Sequence, residues 1–288
     1  MTASSPQPRR SLIFAPGNKP EMFPKALATG ADIVCIDLED AIAPAHKDEA
    51  RMKTLALFET PQAADGVERV VRINCLRTPD GMRDALALTE TKTPPPAIML
   101  PKVKTADEVR LLDEMLGDGP AAGIRFHVII ESNDGLNVAY DIAQSSGRID
   151  ALLFGGVDMA ADLRAETRWD CLLYARARVA HAAAGAGVDL IDVPYLDLTD
   201  MDGMVREAKA AAALGFTGKG AIHPKQIAVL NDCFSPSAEE IEQARRIIRA
   251  FEDSESGLVV IDGKLIEKPV LRSMYRVVAI AERIGADA

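Results

Sequence analysis

The sequence predicts a (β/α)8 barrel with a C-terminal extension. Eight short apolar segments alternate with helical ones before residue 224, and acidic or basic residues stand at the C-terminal ends of several of them. The length of 288 residues also leaves a tail after the roughly 250 residues typical of such a barrel. A doubly wound open sheet is the alternative, but it has no need of eight units, and the fingerprint GxGxxG is missing. We therefore expect a barrel over residues 1–232 and an extension over 233–288.

The first strand is read at 11–15 (SLIFA), stopped by Pro16-Gly17, with a helix at 21–28. The second, 32–38 (DIVCIDL), carries Asp37, Glu39 and Asp40 at its end and is followed by a helix at 46–58. Strands at 69–74 (RVVRIN) and 97–101 (AIMLP) bring Arg72 and Lys102, with a helix at 106–116. The fifth, 125–130 (RFHVII), ends in Glu131 and leads into a helix at 132–140. The sixth, 149–154, is apolar enough to be buried on both faces. Gly155 and Gly156 then allow a tight turn and close approach of another molecule, with Asp158 just beyond. A helix at 169–184, a strand at 189–193, a helix at 201–214 and a short strand at 220–223 complete the barrel. The tail holds a helix at 237–251, a hairpin-like stretch (GLVVIDGKLIEKPV) and a helix at 270–284. Residues 257–270 are too polar and glycine-punctuated for core, and they suit a lid.

Hydrophobic content of 48% and a net charge of −10 fit a cytoplasmic enzyme and argue against a nucleic-acid or anionic-membrane partner. No stretch approaches the ~18 consecutive apolar residues of a membrane span, and the N-terminus lacks a signal-peptide core. The four cysteines show no metal-ligand spacing, and three lie in apolar settings, which predicts reduced core thiols. His46, His127, His181 and Trp169 read as structural, and RRIIR (245–249) as a solvated helix face.

In a barrel the C-terminal strand ends converge on one mouth. That mouth would hold Asp37, Glu39, Asp40, Arg72, Lys102, Glu131 and Asp158. So many carboxylates need counter-charge, supplied in part by Arg72 and Lys102 and in part by a divalent cation. Oxygen ligands favour Mg2+ (or Mn2+), with Glu131 and Asp158 as the ligand pair. Each has a plainer reading as a helix cap, and Arg72 one as an ion-pair partner of the DLED acids.

Seven motifs in order then resemble the citrate lyase β-subunit-like family, which includes malyl-CoA and citramalyl-CoA lyases. They are RRSLIFAPGNKPEMFPKA, IDLEDAIAPAHKDEAR, VRIN, the Glu of IIES, FGGVDMAADL, GKGAIHPKQI and VVIDGKLIEKPV, spread over nearly the whole chain. The resemblance implies a TIM barrel, Mg2+, a homotrimer or hexamer, and cleavage or formation of a C–C bond in a 3-hydroxyacyl-CoA. By the same resemblance Glu131 and Asp158 hold the metal and Arg72 binds substrate. Phe14, Lys19, Lys25, Ile222 and His223 contact coenzyme A, which is part of the substrate. The turn Gly155, Gly156, Val157 and Asp158 resembles the one whose N–H groups receive the 2-oxo acid carboxylate.

The chemistry fits these residue types. An acyl-CoA enolate needs a strong donor such as Arg72, and polyanionic CoA suits lysines. Glu39 and Asp40 complete the expected catalytic set. Where the family commonly has an Asp in a lid segment like MIDxP, this chain has LIEKP. Glu267 is thus the expected lid acid/base, reaching a neighbouring subunit's site. Three other readings are a thioesterase using the same site, a CoA-free aldolase of 4-hydroxy-2-oxo acids, and a catalytically silent subunit.

Overall fold

In the computed structural model eight parallel strands close into a barrel in sequence order, β1 pairing with both β2 and β8. The structure describes residues 7–286 except 64, 118, 255 and 256. These residues fall into two compact units, Arg9–Phe234 and a second made from residues 7–8 and Ser235 onward.

The strands are β1 (Ser11–Pro16), β2 (Ile33–Asp37), β3 (Glu68–Arg72), β4 (Ala97–Leu100), β5 (Arg125–Ile130), β6 (Ile149–Phe154), β7 (Asp189–Asp192) and β8 (Gly218–Ala221). The helices are α1 (Met22–Leu27), α2 (Lys47–Ala56), α3 (Pro79–Glu90), α4 (Ala106–Leu116), α5 (Asn133–Asn137), α6 (Ala139–Ala143), α7 (Gly156–Leu163), α8 (Trp169–Ala186), α9 (Met201–Ala213) and α10 (Ile227–Phe234). Side chains alternate along each strand, so two cores form. Leu12, Ile33, Cys35, Val70, Met99, Ile129 and Leu153 fill the barrel interior. Ile13, Val34, Ile36, Val71, Ile98 and Val128 face the helices.

β8 closes the ring two residues earlier than the sequence suggests, so Ile222 and His223 lie beyond the strand. Its composition, GKGA, carries little strand signal, but closure requires glycine: a Cβ on Gly218 would sit 1.8 Å from the Arg9 carbonyl oxygen. Helix α3, which the sequence reading passes over, begins at Pro79, with the Thr78 side chain accepting from the Gly81 N–H at 3.1 Å. The helix expected at 132–140 is two short helices, broken at Val138.

At the strands' N-terminal ends Arg9 pairs with Glu68 (2.6 Å) and Asp189 (2.7 Å), and His127 Nε2 lies 3.0 Å from Glu68. His127 is therefore structural, as expected. So is His181, stacked on Tyr140, and Trp169, whose ring lies 4.4 Å from the Arg176 guanidinium carbon. The cysteine expectation is only partly right: all four are free, but Cys35 alone is buried and Cys171 is exposed, on α8. No helix among the described residues is long and apolar enough to cross a membrane.

The second unit contains α11 (Ala238–Glu252), the antiparallel hairpin β9 (Leu258–Ile261) and β10 (Lys264–Glu267), and α12 (Leu271–Arg283). Ser237 and Glu240 form a capping box for α11, which buries Ile241, Ile247, Ile248 and Phe251. Within RRIIR only the arginines face outward, Arg246 and Arg249 exposed, while Ile247 and Ile248 are buried. The hairpin turns through Asp262 and Gly263, both at positive φ (50° and 74°), the Asp-Gly signature of a two-residue turn. Asp262 is thus a turn residue, and Arg246 pairs with it. Glu267 closes β10 and is exposed.

Candidate active site

The site is built at the C-terminal ends of the strands, chiefly β2 to β6. Asp37 accepts from the N–H groups of Glu39 (2.8 Å) and Ala41 (3.0 Å), which bends the chain so that Glu39 and Asp40 turn back over the strand ends. Lys47 pins the same loop by donating to the carbonyls of Leu38 (2.8 Å) and Glu39 (2.6 Å).

Arg72 lies across this loop. Its Nε and Nη2 donate to the two Asp37 oxygens, both at 2.7 Å, in a bidentate pair. The plainer reading of Arg72 therefore holds along one edge. Its third nitrogen, Nη1, stands 3.2 Å from Glu39 and 3.8 Å from Asp40, and the guanidinium carbon lies 5.0 Å from the Phe14 ring centre. Three acids and an aromatic face keep the cation in a single pose.

Glu131 is only 6% exposed. Its Oε1 accepts from the main-chain N–H of Lys102 at 2.7 Å. It caps no helix, because Ser132 caps α5 by accepting from the Gly135 N–H. Asp158 sits in the first turn of α7, and no side chain caps that helix. Among the described residues neither Glu131 nor Asp158 is paired with a Lys or Arg side chain, whereas Asp37, Glu39 and Asp40 all are. Burial first, then the charges of Asp158 and Glu39, push the Glu131 carboxyl up to about 8. Burial also raises Glu39 above the usual carboxylate range, despite Arg72 and Lys102.

Phe14, Asp40, Arg72, Glu131, Gly155, Val157 and Asp158 line one cavity of about 290 Å3, with aliphatic walls from Leu12, Ile129, Leu153 and Pro194. Gly155 is needed there. A Cβ would lie 2.4 Å from Glu131 Cβ and 2.5 Å from its Oε2. Gly156 is buried behind the cavity against Val193 and Phe154. Glu39 stands behind Arg72 and Lys102 rather than in the wall.

Four expected contacts are not brought to the cavity: Lys19 and Lys25 are exposed near α1, Ile222 is exposed, and His223 Nδ1 accepts from the Lys225 N–H at 3.1 Å. Glu267 belongs to the second unit.

Sequence reasoning missed Asp192, which lines the cavity from the end of β7. Its carboxylate is taken up by Arg176 Nε (3.0 Å) and Lys219 Nζ (2.6 Å), and Lys219 also reaches Glu207 (2.6 Å). The strand-end rule that found Glu131 would have found Asp192. Its two cations, on α8 and β8, carry no such sign.

Two carboxylates with hard oxygen donors, free of cationic side chains and beside a glycine that lets Glu131 pack closely, fit a Mg2+ ion completed by water. Among the described residues no group of three or more His, Cys, Asp or Glu is arranged to hold a metal, so the fit is to a two-carboxylate site. The α7 N-terminus, with first-turn N–H groups that no side chain caps, offers an anion a place beside it.

Comparison with known proteins places this geometry in a family. The HpcH/HpaI aldolase/citrate lyase model matches residues 10–224. Citrate lyase subunit beta of Leuconostoc mesenteroides is 35% identical, over 95% of this chain and 93% of that one. The L-malyl-CoA/beta-methylmalyl-CoA lyase of Cereibacter sphaeroides is 33% identical, over 97% and 96%. The crystal structure of CitE from Mycobacterium tuberculosis in complex with magnesium, acetoacetate and coenzyme A is 32% identical, with a TM-score of 0.75 over 98% of this chain and all of that one. The chain belongs to the HpcH/HpaI aldolase/citrate lyase family and is a carbon–carbon lyase of its citrate lyase β-like group.

Proposed function

We propose that the chain is a Mg2+-dependent lyase that cleaves or forms the C–C bond of a 3-hydroxyacyl-CoA of the malyl-, citramalyl- or citryl-CoA type, giving an acyl-CoA and a 2-oxo acid. The observation that carries this reading is the pairing of Glu131 and Asp158, both without cationic partners, with Arg72 in one cavity. The relatives' names supply the substrate class.

Glu131 and Asp158 would hold the cation, which when bound polarises the carbonyl of the oxo acid. Arg72, clamped by Asp37, presents Nη1 to the thioester oxygen on which enolate charge develops. The first-turn N–H groups of α7, from Gly156 through Asp158, receive the oxo acid carboxylate. Glu39 and Asp40 hold Arg72 from the other side. In the cleavage direction the 3-hydroxyl gives up its proton, the C–C electron pair passes to the acyl-CoA fragment, and that carbon takes a proton.

We assign Glu267 as the acid/base, on the hairpin 257–270 acting as a lid over a neighbouring subunit of a homotrimer or hexamer. Lys19, Lys25, Ile222 and His223 would contact coenzyme A outside the cavity. Thioester hydrolysis is the second reading, and Glu267 in place of the family's Asp is the observation that favours it.

The test is incubation of the protein and Mg2+ with malyl-, methylmalyl-, citramalyl- and citryl-CoA, followed by mass spectrometry with an EDTA control. Acetyl- or propionyl-CoA appearing with a free 2-oxo acid, only with metal, supports the lyase. Free CoA with the intact hydroxy acid overturns it in favour of hydrolysis. Glu131→Ala and Asp158→Ala are expected to abolish turnover with an unchanged circular dichroism spectrum; full activity in either removes the metal assignment.

A further inference from the structure

Lys102 occupies a conformation that lysine does not favour. It follows β4 with φ at 55°, in the left-handed region that glycine enters without strain. Both its main chain and its side chain are engaged there. Its N–H donates to Glu131 Oε1 at 2.7 Å, and its ammonium lies 2.6 Å from Glu39 Oε1 and 3.3 Å from Asp40 Oδ1.

Arg72 Nη1 faces the opposite oxygens of the same two acids, Glu39 Oε2 at 3.2 Å and Asp40 Oδ2 at 3.8 Å. Two cations and two carboxylates therefore form a closed ring beside the cavity. Glu131 and Asp158 stay outside it, with no ammonium or guanidinium paired to them among the described residues.

We propose that Lys102 is a positioning residue that sorts Glu39 and Asp40 from Glu131 and Asp158, Asp37 and Asp192 being held by cations of their own. It holds Glu39 and Asp40 on Arg72 and on itself, and it orients Glu131, so that only Glu131 and Asp158 remain to ligate a divalent cation. This rests on the metal reading of the Glu131–Asp158 pair. Without the ammonium, the buried Glu39 carboxylate keeps only Arg72 Nη1 at 3.2 Å, and its uncompensated negative charge, which already acts on Glu131, favours a cation at the Glu131–Asp158 pair. Affinity of oxygen sites for divalent ions follows the number of carboxylates that face the ion.

The experiment is Mn2+ titration of the full chain without substrate, followed by electron paramagnetic resonance. Wild type, Lys102→Met, Glu39→Gln and the double variant are compared, with Lys102→Arg as the charge-keeping control. Lys102→Met is expected to bind Mn2+ about tenfold more tightly while turning over more slowly, a combination that mere structural damage does not produce. Glu39→Gln alone is expected to change affinity less than about twofold, whereas in the Lys102→Met background it removes the gain. Lys102→Arg should bind as wild type. Lys102 is 37% exposed at its side chain, and Lys102→Gln reads the same quantity should the Met variant not fold. Equal or weaker Mn2+ binding by a folded Lys102→Met overturns the sorting role and leaves the metal reading standing. An equal effect of Glu39→Gln in both backgrounds also overturns it, since general charge alone would explain that. Wild type that takes up no Mn2+ overturns the metal reading itself, and the sorting role with it.

Discussion

Gly155→Ala tests whether close packing of one main-chain atom sets the candidate metal site. The backbone at Gly155 (φ −87°, ψ 77°) is open to alanine, so the effect comes from the added carbon alone. That carbon would lie 2.4 Å from Glu131 Cβ, 2.5 Å from Glu131 Oε2 and 3.1 Å from Ile129 Cγ2. Ordinary carbon–carbon contact is ~3.5–4.0 Å, so Glu131 or the turn must move by roughly 1 Å. Overpacking of this kind costs about 1–3 kcal/mol, or roughly 2–4 °C of melting temperature per kcal/mol in a domain of this size. A displacement of about 1 Å at a catalytic group costs on the order of 100-fold in rate. Calorimetry and steady-state cleavage of the best CoA ester give both numbers, and Mn2+ titration shows whether Glu131 has moved. Gly156→Ala is the comparison, because its nearest contact is milder, 3.0 Å to Val193 Cγ1. If Gly155→Ala binds Mn2+ and turns over like wild type, Glu131 is not held where the reasoning requires.

Three further outcomes follow from the same structure. Burial raises the Glu68 carboxyl, but His127 and Arg9 more than offset this and hold it well below the usual range. Its stabilising contribution is therefore present above the unfolded carboxylate value and lost as pH falls below it. Melting curves from pH 6 to pH 3 should show Glu68→Gln converging on wild type, and a constant gap would remove the ion-pair explanation. Lys219→Met leaves Asp192 and Glu207 short of a buried cation and should cost about 3–5 kcal/mol in urea unfolding; a loss below about 1 kcal/mol would mean that Arg176 alone satisfies Asp192. Glu267→Ala should lower kcat without weakening CoA binding measured by calorimetry, and an unchanged kcat would take the acid/base role from Glu267.

Much of the fold and part of the site were legible in residue order. The eight strands are local apolar segments ended by Gly, Pro or charge, and β5, β6 and α4 lie at the boundaries expected of them. Glu131 and Asp158 could be found because a barrel carries every strand's C-terminal end to one mouth. β8 was misplaced and α3 overlooked for a common reason. GKGA has almost no strand propensity and is held by closure against Arg9, and the Thr78-Pro79 start reads equally well as a turn.

What residue order determined by itself was therefore which groups stand at strand ends, and so the acidic mouth with one arginine and one lysine. The tertiary structure alone decided how those charges are shared. Asp37 meets Arg72 across 35 residues, and Lys102 reaches Glu39 across 63. Arg176 and Lys219 converge on Asp192 from a helix and a strand. No local pattern encodes these meetings, because each exists only once the ring of strands has closed. That closure divides the acids of the mouth into those paired with a lysine or arginine side chain and two, Glu131 and Asp158, that among the described residues are not.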